Sequence, residues 1–273
     1  MSSLTLDLND PATLLAWYVA MGADDAVLDE PQDRFALTKE IAAAPAPTPT
    51  TSAPSAKKTA TPKPVAARPT QPMASVNTAQ KAADNAGTLA ELKKALEGID
   101  GGTLKSTATN TVFADGVVGA PLMVIGDAPG AEEDKNGKPF MGVEGALLDK
   151  MLAAISFSRL ENAYLSCLVP WRPLGNRRPD PQTVALCLPF LLRHIELAKP
   201  KAVLVLGGTT ASALFNNDQN IAKLRGDFHD ISAGSHEIAA IATYQPAYLI
   251  KQPRFKADAW RDLLAVKAKL ESK

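Results

Sequence analysis

From residue 120 onward the chain alternates short apolar runs with helical stretches, and this alternation constrains the fold more than any other feature. "PLMVIG" (121–126), "NAYLSCLVPW" (162–171), "KAVLVLGG" (201–208) and "HEIAAIATYQP" (236–246) read as strands. Among them stand "GVEGALLDKMLAAI" (142–155), "DPQTVALCLPFLLRHIELA" (180–198, capped by Asp180) and "TTASALFN" (209–216), and "KADAWRDLLAVKAKLE" (256–271) follows. A run such as "KAVLVLGG" is apolar throughout, the pattern of a strand buried on both faces. Strands spaced by helices imply a parallel sheet covered on both sides. The expected fold class is α/β, a three-layer α/β/α sandwich around a central, mainly parallel sheet, with strands near 121–126, 163–168, 202–206 and 237–243. Ligands in such folds bind beyond the carboxyl ends of the strands. Three of those ends, 126–130, 166–172 and 244–248, carry unusual polar chemistry and are expected to converge.

The first third of the chain has a different character. Much of the chain's 21 Pro lies within 45–74, a stretch of Pro, Ala, Thr, Ser and Lys with few large apolar groups. It cannot bury enough surface to offset its ordering entropy. The expected organisation is an acidic N-terminal segment (1–40) with a short helix at 10–24, a disordered linker (41–85) and one folded domain (86–273). Within "TAQKAADNAGTLAELKKALEGI" (78–99) only the second half reads as helix, stopped by Gly101 and Gly102. Residues 1–40 carry six Asp and two Glu against Arg34 and Lys39, about −6, whereas 41–85 is about +4, within a chain of zero net charge. The acidic head is thus read as a surface for a protein partner or for the molecule's own basic face, or as a solvated tail. Two cysteines, Cys167 and Cys187, sit in apolar segments without CxxC spacing, which fits a reducing compartment. The opening "MSSLTLDLND" has no basic region of a signal peptide, and no window approaches 18 uninterrupted apolar residues, so no membrane association is expected.

The segment after the first strand, "GDAPGAEEDKNGKPFMG" (126–142), is a turn followed by acids and an aromatic ring. It lacks GxGxxG, and no GxxxxGK[ST] occurs in the chain, so neither common nucleotide fingerprint is present. "VLGGTTAS" reads either as a strand-to-helix turn capped by Thr or as a phosphate contact at a helix N-terminus.

Taken in order with "LSCLVPWRPLGNRRPDP", "CLPFL", "KLRGDF" and "TYQPAYLI", these motifs resemble the uracil-DNA glycosylase superfamily over about residues 95–270. The resemblance is closest to the family 4 type, and within it to alphaproteobacterial members with a similar acidic N-terminal segment. It implies base-excision DNA repair in a bacterial cytoplasm, associated with the nucleoid, by a monomer acting on single-stranded or duplex DNA containing uracil. Such an enzyme flips its base out of the duplex and stacks it in a pocket. By resemblance the catalytic positions are Asp127, Glu133 and Gln245, and the base-binding positions are Ala128, Phe140 and Cys167. Arg172, Asn176, Arg177, Arg178, Arg225, Pro246 and Tyr248 are the positions expected on DNA, the arginines being suited to phosphates.

The chain departs from the family pattern in its chemistry. Asp127 stands for a Glu, Cys167 for the Asn that reads uracil, and Gln245 for the catalytic His. Gln cannot carry the positive charge that would support a departing uracil anion, and a thiol is a weak donor. Typical relatives hold a [4Fe–4S] cluster on four Cys, at positions that align here with Ile99, Gly102, Trp171 and Cys187. One thiolate does not hold such a cluster, so no cofactor and no metal is expected. Two readings stay open: a glycosylase of reduced or altered specificity, and a catalytically inactive DNA- or partner-binding protein on the same scaffold. A third use, Cys167 as a reactive thiol, requires a lowered pKa, and no His stands at a matched position.

Overall fold

The computed structural model describes residues 74–272. The reading of 1–40, including the helix at 10–24, and of most of the linker falls outside them. A helix α1 (Val76–Asp84) is already present within the stretch expected to be disordered, and α2 (Leu89–Gly98) follows. Ser75 caps α1 by accepting from Thr78 N, and Ala79 and Ala83 are fully buried. The linker reading therefore fails for 76–84: small Ala faces are enough when a neighbouring helix supplies the large apolar groups. A short helix α3 (Gly102–Thr107) then begins at the Gly pair that was expected only to stop α2.

The sheet has six strands: β1 (Ala114–Gly116), β2 (Leu122–Gly126), β3 (Ala163–Cys167), β4 (Ala202–Leu206), β5 (Phe228–Ala233) and β6 (His236–Thr243), in the order β1-β3-β2-β4-β6-β5. The four inner strands, β3, β2, β4 and β6, are parallel and are the four expected from the sequence; β1 and β5 add antiparallel edges. The edge strands carry only partial burial, so neither shows a continuous apolar run.

Side chains alternate between the two faces of each inner strand. Met123 and Ile125 of β2 and Val203 and Val205 of β4 join one core with α1, α2 and α6 (Pro181–Ala198). Leu122, Val124, Leu204 and Leu206 join the opposite core with α5 (Gly142–Ala154) and α10 (Lys256–Glu271), through Leu148, Leu152, Leu263 and Val266. This is the three-layer α/β/α sandwich. The remaining helices are α4 (Ala131–Asn136), α7 (Gly208–Phe215), α8 (Ile221–Leu224) and α9 (Pro246–Lys251). Among the described residues no helix is long and apolar enough to cross a membrane.

Register is what positions the site. Gly126 pairs with Cys167 on one side and Leu206 on the other, and Leu206 pairs with Thr243. The four parallel strands therefore end flush, and the loops after them leave from one row. A parallel strand shifted by two residues would move its following turn about 7 Å along the sheet.

Candidate active site

All four of these loops meet in one cleft of about 570 Å³. Asp127, Ala128 and Pro129 come from the turn after β2, Gly207 to Thr209 from the turn after β4, and Gln245 and Tyr248 from the turn after β6. Asn176, Arg177 and Arg178, from the long loop after β3, form another wall.

The Asp127 carboxylate is the hub. Its Oδ1 accepts from the Thr210 backbone N–H and from Thr210 Oγ1, each at 2.8 Å, and its Oδ2 accepts from Gln245 Nε2 at 2.6 Å. Gln245 Nε2 also reaches the Leu206 carbonyl at 3.3 Å. Burial raises the carboxyl above its ordinary range, and the hydrogen bonds from Thr210, with Thr209 close by, oppose that rise. Gly207 makes the arrangement possible. Its φ is +114°, and a Cβ there would overlap Gln245 Nε2 and crowd Asp127 Oδ2. Thr210 does not cap α7; it reaches sideways to Asp127 and to the Gly126 carbonyl at 3.0 Å. The role of Thr210 escaped the sequence reading, which weighed only a cap or a phosphate loop for "GGTT". A Gly pair ahead of two hydroxyls was the available signal.

Glu133 sits at the start of α4 and is buried. Its Oε2 accepts from Gly130 N at 3.0 Å and its Oε1 from Met141 N at 2.9 Å. It braces the turn 126–130 against the Phe140 loop and is not part of the cleft lining. Phe140 has φ +53°, in the left-handed region, and its ring lies so close to Gly126 that a Cβ there would come within 2.7 Å of Cζ. Cys167 Sγ lies on the same side of Gly126, 3.7 Å from that Cβ position. Phe140 and Cys167 thus flank the same side of Gly126, and neither is part of the lining of the cleft that holds Asp127 and Gln245. Burial, with Glu133 and Asp127 nearby, pushes the Cys167 thiol up. That direction is opposite to what a reactive thiol needs.

The expected DNA-binding residues separate into two groups. Asn176, Arg177, Arg178 and Tyr248 line the cleft and are exposed. Arg178 Nε donates to Thr209 Oγ1 at 2.9 Å. Tyr248 is backed by Tyr244, with ring centroids 5.3 Å apart and planes at 27°. Arg172 lies outside the lining and donates to Asn176 Oδ1 at 2.8 Å, which supports that loop. Pro246 is buried at the first turn of α9. Arg225 is a correction. Its guanidinium forks onto the buried Asp262, with Nε to Oδ2 at 2.9 Å, and donates to the Asp258 carbonyl at 2.7 Å, leaving the side chain 16% exposed. It is a clamp between β6 and α10. In sequence it was one more Arg beside Lys223; only the packing reveals its buried acid.

The positions that the resemblance assigns to cluster ligands do not fit a four-thiolate cluster. Ile99 and Trp171 offer no ligating side-chain atom and Gly102 has no side chain, while burial pushes the Cys187 thiol up to about 12. Ile99, Trp171 and Cys187 belong to one apolar core, and Trp171 Nε1 donates to Thr111 Oγ1 at 3.1 Å. Among the described residues no group of three or more His, Cys, Asp or Glu is placed to hold a metal ion.

Comparison with known proteins agrees with this architecture. The family model of the uracil DNA glycosylase superfamily matches residues 113–264. The type-4 uracil-DNA glycosylase of Saccharolobus solfataricus is 35% identical over 168 residues, 60% of this chain and 78% of that protein. That of Archaeoglobus fulgidus is 33% identical over 159 residues, 57% of this chain and 79% of its own. That of Thermotoga maritima is 36% identical over 144 residues, 52% of this chain and 73% of its own. With a matching family model across more than half its length, and with the site loops leaving one flush row of parallel strands, the chain belongs to the uracil DNA glycosylase superfamily and is of the family 4 kind.

Proposed function

We propose that the chain is a DNA-repair glycosylase that hydrolyses the N-glycosidic bond of uracil in DNA, at a rate lowered by its own substitutions. The carrying observation is the meeting of Asp127, Gln245 and the Arg177–Arg178 wall in one cleft. In this reading the arginines take backbone phosphates and the uracil nucleotide leaves the stack. Its base rests on Phe140, with Cys167 at the polar edge and Ala128 in the turn beneath. The C1′–N1 bond breaks, and its electron pair departs with the base. The sugar gains positive charge, which the Asp127 carboxylate stabilises. A carboxylate has about four acceptor sites; three are taken in this chain. The fourth, on Oδ2, orients the water; as its oxygen bonds C1′ an O–H bond breaks, the carboxylate takes that proton, and solvent returns a proton to the departed uracil anion. Glu133 contributes by holding the turn. The chemistry proceeds without a cluster, Trp171 filling core volume instead.

Two features lower the rate. Gln245 carries no charge, and its amide is already engaged by Asp127. Losing one donor to a developing anion typically costs ~10²–10³ in rate. The same engaged amide favours a second reading, a catalytically inactive DNA-binding protein. Single-turnover release of uracil from single-stranded and duplex oligonucleotides decides between them. Slow release that is abolished by Asp127→Asn supports the glycosylase. No release by the unsubstituted chain, with retained salt-sensitive DNA binding, supports the second reading. Full release at a rate unaffected by Gln245→Ala would remove the argument for an impaired site.

A further inference from the structure

We infer that Arg159 is the positioning residue for Phe140, setting the plane on which a flipped base stacks; this rests on the glycosylase reading above. Arg159 touches no part of the cleft lining. It lies in the connection between α5 and β3, and its side chain is 12% exposed. Every nitrogen of its guanidinium is used. Nη2 donates to the Phe140 carbonyl at 2.9 Å and Nη1 to the Pro139 carbonyl at 3.2 Å. Nε donates to Asp149 Oδ1 at 2.8 Å, and Nη1 also meets Asp115 Oδ2 at 3.2 Å. Asp115 stands on edge strand β1 and is held in turn by Lys138 at 3.2 Å. The two acids anchor the guanidinium to the sheet edge and to α5; the guanidinium anchors the Phe140 loop.

Phe140 needs such an anchor. Its φ of +53° is one that residues other than Gly rarely adopt. A return to negative φ would swing the ring away from Gly126. Two further features favour the observed conformation. Glu133 Oε1 holds the next N–H, that of Met141, and Gly145 leaves room for the Phe140 carbonyl, where any Cβ would overlap it. Arg159 is the cationic member of this brace, and its planar fork takes two successive carbonyls at once. A Lys ammonium is a point charge that does not reproduce the fork.

The test is equilibrium binding of a single-stranded oligonucleotide carrying 2′-fluoro-2′-deoxyuridine, a hydrolysis-resistant uracil nucleotide, against the same strand with thymidine. Phe140→Ala is expected to reduce the preference for the uracil strand about tenfold or more, the scale of one base–aromatic stack. Arg159→Met should remove most of that preference and Arg159→Lys part of it, with the thymidine strand bound as before. In the Phe140→Ala background Arg159→Met should add nothing, since both changes act on one ring. Should Arg159→Met not fold, Arg159→Lys and Asp115→Asn carry the same expectation. If Phe140→Ala loses the preference while the Arg159 variants keep it, or if they weaken both strands alike, the positioning role is overturned. If the unsubstituted chain shows no preference, or Phe140→Ala leaves it intact, the base-site reading itself falls, and this role with it.

Discussion

Gln245 Nε2 donates to Asp127 Oδ2 across 2.6 Å, so the side chain that follows the last strand closes onto the carboxylate that follows the first inner one. An imidazole at this position would bring a group able to take a positive charge, and an Asn at Cys167 would bring an amide to the base edge. Gln245→His and Cys167→Asn should each raise uracil release, and the double variant should raise it more than either alone. The two act on the same flipped base, so their effects need not add. Single-turnover rates measure this; no gain from the double variant would move the defect to Asp127, the shorter acid.

Thr210→Val keeps the shape of the turn and removes one donor from Asp127 Oδ1. Burial already raises this carboxyl, and Thr210 is among the groups that hold it down. Losing the hydroxyl should raise it further. A base must be ionised to act, so activity falls as pH drops through its pKa. The acid limb of the rate profile should therefore move to higher pH in Thr210→Val, with the alkaline side unchanged.

Gly207→Ala introduces a Cβ where Gln245 and Asp127 meet, at a φ of +114°. Strained backbone of this kind costs of order 1–3 kcal/mol. We expect a loss of stability in that range by denaturant titration, and a fall in uracil release of at least about tenfold. A fully active Gly207→Ala would show that the Asp127–Gln245 contact is dispensable.

Arginines of one chemical type should divide by environment. Arg225→Met leaves Asp262 buried without its cation and should cost about 3–5 kcal/mol of stability. Arg177→Ala and Arg178→Ala should leave stability near that of the unsubstituted chain. Each should instead weaken DNA binding and reduce the steepness of its salt dependence by about one counterion. Calorimetry and binding isotherms at several salt concentrations separate the two classes.

The buried His194 should make the fold acid-sensitive. It is stacked on Phe113, with ring centroids 4.3 Å apart, and contacts Tyr164 Oη at 2.9 Å and Ser166 Oγ at 3.4 Å. Ser166 Oγ donates to the Phe113 carbonyl, so it accepts from Nδ1–H, and Nε2 accepts from Tyr164. That is a neutral imidazole, and burial lowers its pKa to about 3. The unfolded chain takes up the proton near the ordinary value of 6.5. Stability is therefore fully present above about pH 6.5 and is lost as pH falls toward about 3, with a slope approaching about 1.4 kcal/mol per pH unit from this group. Denaturant midpoints across that window should show the slope in the unsubstituted chain and a shallower one in His194→Gln.

The sandwich and its four parallel strands were legible in the sequence because each inner strand is buried on both faces and so reads as an unbroken apolar run, as in "VLVL". Family membership was legible because its motifs follow the strand ends in order. The edge strands β1 and β5 were not, since an edge strand pairs on one side only and needs no such run. Nor was α1, whose Ala face is stabilised by a helix about a hundred residues further along. At the site, the types Asp127, Phe140, Cys167 and Gln245 could be read one by one, but not what each touches. Glu133 spends both oxygens on backbone only three and eight residues away, but that Gln245 closes on Asp127, that Arg225 faces a buried acid and that Arg159 faces a backbone carbonyl are contacts between groups 19 to 118 residues apart. Such contacts depend on the register of four parallel strands and the row on which they end. Residue type sets what a side chain can donate or accept; only the packed sheet sets which partner stands within 3 Å of it.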